Sequence, residues 1–185
     1  MSRHSHCQTP AAAPNQTDDC GLKTADLNLQ TTHNFPYIYI PMAMKQPANE
    51  RHYRYSDAEY AERFAKGTLR PGLFTHEAHL RLAWIHIRQH GLEQAIENMN
   101  AQILAFAIAN GARDNFNRTV TTAAVYTMHH FMQRSQSDDF PGLLAEFPRL
   151  KTDFKGLLAA HYSSDIFRSK EAKAQFIEPD LAPFV

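Results

Sequence analysis

The chain has 185 residues, 43% of them apolar, and 19 Lys plus Arg against 19 Asp plus Glu, so it carries no formal net charge. That length fits one domain with a sizeable core, and the balanced charge leaves no basic surplus to attract phosphates, which argues against nucleic acid as a partner. No run approaches the roughly 18 to 20 uncharged apolar residues that span a bilayer, so no membrane segment is expected.

Residues 1–34 are rich in Ser, Thr, Asn, Gln, Asp and Pro. Little there offsets chain entropy on ordering, and a disordered leader is expected. The leader lacks the apolar run of about 7 to 15 residues found in a secretory signal: Ala11 to Ala13 is short and bracketed by Pro10 and Pro14. The expected location is therefore cytoplasmic. The only cysteines, Cys7 and Cys20, both lie in the leader, where a disulfide would not clamp the core. With Met1 removed, Ser2-Arg3-His4 has the amine, amides and imidazole that ring Cu(II) or Ni(II). A His at that position also arises by chance about one time in twenty on flat residue usage.

Residues 35–55 read as an extended, partly packed segment, because the apolar and aromatic stretch from Phe35 to Met44 is broken by Pro36 and Pro41. It either crosses the domain surface or serves as a recognition peptide. A helical domain occupies residues 56–185. Ser56 with Glu59 three residues on makes a capping box, and Gly67 a stop, for a helix over 57–66. Thr75 caps a second helix with Glu77 in its first turn, and Gly91 ends it. Its core stripe is Leu80, Ala83, Trp84 and Ile87.

A third helix over 92–109 has the clearest period, through Leu92, Ala95, Ile96, Met99, Ile103, Phe106 and Ala107, before Asn110-Gly111. The fourth, over 117–133, carries Val120, Ala124, Met128, Phe131 and Met132 inward. Shorter helices follow over 143–147 and 149–160, and Ser169 caps a last turn. With no repeat and no alternating strand, the expected class is all-α: a compact bundle of five to six helices behind the leader.

The second helix holds His76, His79, His86 and His90, which at about 100° per residue fall within one quadrant of the wheel. A His-x-x-His pair can place two imidazoles on one divalent metal, and zinc or non-haem iron then needs a third ligand. His129, His130, His161, Glu77 and Asp153 are the available donors, none at diagnostic spacing. The alternative is that these histidines are hydrogen-bonded within the fold. At the start of the fourth helix Asn117, Thr119 and Thr121 place polar groups on its core side. They either cap the helix and bond a carbonyl one turn back, or line the polar end of a pocket opposite His76 and His79. No Gly-x-Ser-x-Gly, Gly-x-Gly-x-x-Gly or phosphate-binding loop occurs, so neither a nucleophile nor a nucleotide cofactor is indicated.

Three segments together are similar to a group of uncharacterised small bacterial helical proteins. They are Phe74-Thr75-His76-Glu77-Ala78-His79-Leu80 with Ala83-Trp84, then Phe116-Asn117-Arg118-Thr119-Val120-Thr121, then the tail from Tyr162-Ser163 through Ser169, Glu171-Ala172 and Glu178-Pro179-Asp180-Leu181. The resemblance runs from Phe74 onward and implies no particular activity. In that group the second motif is aromatic-His-x-Thr-x-Thr, and here Asn117 stands in the His position. Asn is a poor ligand for zinc or iron but donates and accepts hydrogen bonds, so a polar pocket survives the change better than a metal centre.

Three functional readings follow. The leading one is a helical domain that binds or transforms a small molecule in a pocket lined by His76, His79, Asn117, Thr119 and Thr121. The second is a helical interaction module or homodimer that presents the histidine stripe and the 35–44 segment to a partner. The third is a metal-dependent enzyme using His76 and His79.

Overall fold

Capping and helical period account for most of what is seen in the computed structural model, which describes residues 50–184. The described residues belong to one compact unit and contain helices but no strand. The expectations for residues 1–34, for the 35–44 segment and for Ser2-Arg3-His4 lie outside them.

α1 (Asp57–Ala65) opens on Ser56, and both halves of the capping box form. α2 (His76–His90) opens on Thr75, whose hydroxyl accepts from Ala78 N. It ends at Gly91, which with φ 80° links directly into α3 (Leu92–Ala109). That left-handed conformation is readily open only to glycine, and it joins two long helices through one residue. α4 (Arg118–Met132) opens on Asn117, whose side chain accepts from Val120 N.

The shorter helices are α5 (Phe140–Glu146), α6 (Arg149–Thr152), α7 (Phe154–Ala159) and α8 (Lys170–Ala174). The single late helix expected over 149–160 is two. Asp153, at φ −147° and ψ 44°, closes α6, and its carboxylate accepts from Gly156 N to start α7. This break, with the last turn counted as α8, gives eight helices among the described residues, where five to six were expected. Residues 51–54, expected to be extended, form a 3₁₀ turn (Arg51–Arg54).

α2 is the central element and packs against α1, α3 and α4. Its expected stripe of Leu80, Ala83, Trp84 and Ile87 is buried, and so are Glu77, Arg81 and His86 on its other sides. A helix covered all round, as α2 is before its exposed last turn, must give each of its buried polar side chains a partner inside the protein. That requirement shapes the site.

Candidate functional site

His76 is the first residue of α2. Its Nε2 lies 2.9 Å from the carbonyl oxygen of Leu150 in α6, and its ring sits 5.0 Å from that of Phe154. A carbonyl only accepts, so Nε2 carries the proton and Nδ1 keeps its lone pair. One turn on, His79 has Nδ1 2.8 Å from the carbonyl oxygen of Thr75, and its ring stacks on Phe74 at 3.5 Å. By the same argument its proton is on Nδ1. Nε2 is a bare acceptor, shut off from solvent and without a hydrogen-bond partner among the described residues.

Both imidazoles are neutral. Burial pushes His79 down to about 3, against the pull of its bond to Thr75. It lowers His76 in the same way, against the pull of Leu150. His86 is different: Nε2 donates to Gln102 Oε1 at 3.3 Å and Nδ1 accepts a long bond from Asn98 at 3.5 Å, so both nitrogens are spent linking α2 to α3. His90 is exposed, with its ring 5.7 Å from that of His86. The stripe of four therefore divides into a pair at the start of α2, a buried cross-link and a surface residue.

Asn117, Thr119 and Thr121 are all buried on α4. Asn117 caps the helix with Oδ1 and donates through Nδ2 to the carbonyl of Ile166 at 2.8 Å. The hydroxyl of Thr119 donates to the carbonyl of Gln175 at 2.8 Å and accepts from Ile177 N at 3.0 Å. These two side chains hold the C-terminal tail, while the hydrogen bonds of His76 and His79 run to Leu150 and Thr75.

Beneath the histidine pair lies a polar network that sequence reasoning missed. Glu77, 3% exposed, accepts from the Tyr53 hydroxyl at 2.7 Å and faces Lys151 Nζ at 2.5 Å. Arg81, 5% exposed, donates to Asp57, to the carbonyls of His52 and Tyr55, and to Nδ1 of His52. Glu50 accepts from the Thr75 hydroxyl at 2.9 Å. Burial and the neighbouring Glu77 raise its pKa, against its bond to Thr75. His52 is fully buried and pushed down to about 4, by burial first and Arg81 second.

The network joins the pair at both members. Thr75 bonds Glu50 with its hydroxyl and His79 with its carbonyl, and Lys151, paired with Glu77, adjoins the residue whose carbonyl holds His76. The spacing of Glu77 and Arg81, one turn apart on a helix with apolar residues all round it, was the available signal. His52 and Tyr53 gave none, lying in a segment read as extended.

Among the described residues no three His, Cys, Asp or Glu side chains come together as a metal ligand set, so His76 and His79 gain no third ligand there. A pocket of about 160 Å³ lies between α4, α7 and the tail, lined by residues that include Phe131, Leu157, Ala160 and Phe184. Of the residues singled out in the sequence, His130 and His161 line it, whereas His76, His79, Asn117, Thr119 and Thr121 do not. No helix among the described residues is long and apolar enough to cross a membrane. In comparisons with known proteins, no family model, curated protein or solved structure matches the chain.

Proposed function

We propose that this domain binds a small polar molecule at the start of α2, with the neutral imidazoles of His76 and His79 as its contacting groups. The observation that supports this is the bare Nε2 of His79, an acceptor fixed in one tautomer by Thr75 and left without a donor among the described residues. A buried acceptor without a partner costs about 1–3 kcal/mol, which a ligand N–H or O–H would recover. Asn117 and Thr119 serve this reading as supports that fix the tail rather than as ligand contacts. With a pKa near 3, His79 is a poor base at neutral pH, so its role is that of an acceptor. Transformation of the ligand would require a ligand charge that raises that value.

A metal at the same nitrogens is the second reading. Each imidazole gives its other N–H to a backbone carbonyl, the outer hydrogen bond that metal-bound histidines also make. The expected cytoplasmic location and the likeness to bacterial helical proteins belong to the proposal as well.

The test is elemental analysis and a thermal-shift screen of small amides, alcohols and amines, run on the full chain and on His79→Ala. A true ligand at a hundred times its Kd adds about 2.7 kcal/mol of stability. We expect that shift in the native chain and its loss in His79→Ala, with the oligomeric state unchanged. If His79→Ala alters self-association instead, the interaction-module or homodimer reading takes its place. Bound metal lost in the variant would establish the metal reading, and a screen silent in both respects would leave the histidines purely structural.

A further inference from the structure

The strongest unexplained feature outside the histidine pair is His52. It is 0% exposed, and its Nδ1 lies 3.2 Å from Arg81 Nη1. A guanidinium only donates, so Nδ1 is the acceptor and the proton of the neutral ring is on Nε2. That N–H makes no hydrogen bond among the described residues. It faces two carboxylate oxygens, Glu50 Oε2 and Glu77 Oε1, each 3.9 Å away. Both glutamates are buried, at 8% and 3% exposure.

A buried donor equidistant from two acceptors, just beyond direct bonding range, leaves few candidates for what joins them. The species must accept one hydrogen bond and donate two. A metal ion cannot sit against an N–H, and turning the imidazole to offer a lone pair would set its other N–H against Arg81. Ammonium donates but cannot accept. An alcohol has one donor for two acceptors. Water has the required one-acceptor, two-donor pattern, and buried waters typically make about three hydrogen bonds to otherwise unsatisfied groups.

We infer that Glu50, His52 and Glu77 form a site for a single internal water, which accepts from His52 Nε2–H and donates to Glu50 Oε2 and Glu77 Oε1. The water ties the turn at residues 51–54 to the first turn of α2. Glu50 carries the link onward, because the same Oε2 accepts from Thr75. The inference stands independently of what His79 binds.

The test is an atomic-resolution crystal structure of the full chain at neutral pH, with water–amide cross-relaxation measured by NMR in solution. The expected result is one solvent oxygen about 2.6–3.1 Å from all three atoms, and a long-lived water contact to the His52 ring proton. In His52→Phe, which removes the donor while keeping a ring, both signals should vanish. A direct bond from His52 to either carboxylate without intervening solvent would overturn the inference, as would a peak at metal-coordination distances of about 2.0–2.4 Å. The native structure decides the matter even where the variant fails to fold.

Discussion

Arg81 illustrates how much a single buried charge organises. Its guanidinium reaches two backbone carbonyls, Asp57 and the Nδ1 of His52, and lies 5.2 Å from the ring centres of both Tyr53 and Tyr60. Replacing it with Met would leave the carbonyls and His52 without their donor and Glu77 with less compensating charge. Asp57, 43% exposed, returns to solvent, so the loss comes from the buried acceptors left without a donor, and we expect Arg81→Met to lose at least about 1–3 kcal/mol. Arg81→Lys should recover little of it, since an ammonium cannot span the same fork of acceptors. Urea unfolding measures both, and a loss under about 1 kcal/mol in Arg81→Met would show that the network contributes little to stability. Little of this burial was legible from the sequence, because charged side chains are by default exposed and only the apolar residues all round α2 hinted at an exception.

At the scale of elements, caps and periods were legible and inward faces were not always so. Ser56, Thr75, Asn117 and Ser169 all cap as their spacing implies, because a cap is a local hydrogen bond between near neighbours in sequence. α4 departs from its expected stripe. Val120 and Ala124 are only partly covered, while Thr119, Thr121, Thr122, Val125 and Thr127 are buried. Hydropathy cannot read such a face, since Thr119 and Thr122 enter the core on the strength of distant partners and Thr127 by bonding the carbonyl of Ala123 one turn back. Thr122, for example, accepts from Asn100 of α3 at 3.0 Å. The tail depends on the same logic through Thr119. In Thr119→Val the carbonyl of Gln175 and the amide of Ile177 lose their shared partner, at a cost of about 1–3 kcal/mol. Hydrogen exchange should show the Ile177 amide opening faster while α2 and α3 keep their protection, and Thr119→Ser should restore it. Equal loss across the bundle would mean that the tail unfolds only with the whole domain.

The whole molecule collects these polar groups into a pH dependence. The all-helical class follows from period and punctuation. The neutrality of the histidines does not, since it depends on burial supplied by distant segments. Folding depresses His52 to about 4 and His79 to about 3, and lowers His76 and His86 as well. In the unfolded chain each would titrate near 6.5. Between those values the unfolded chain binds protons that the folded one refuses, so stability rises with pH there. The stabilisation is fully present above about 6.5 and is lost as pH falls toward each folded value. Glu50 acts in the opposite sense: with a raised folded pKa, its contribution is present below the unfolded carboxylate value of about 4.5 and is lost as pH rises through the folded one. It therefore offsets part of the acid loss only at the lower end. We expect chemical unfolding to show a near-constant stability above about pH 7. Between pH 6 and 5 it should fall by at least about 1.4 kcal/mol per pH unit, the slope of one proton taken up on unfolding. His52→Phe should flatten that slope if the variant folds. A profile flat from pH 7 to 5 in the native chain would mean that the imidazoles are charged inside the fold, and the tautomers on which the site is built would then be wrong.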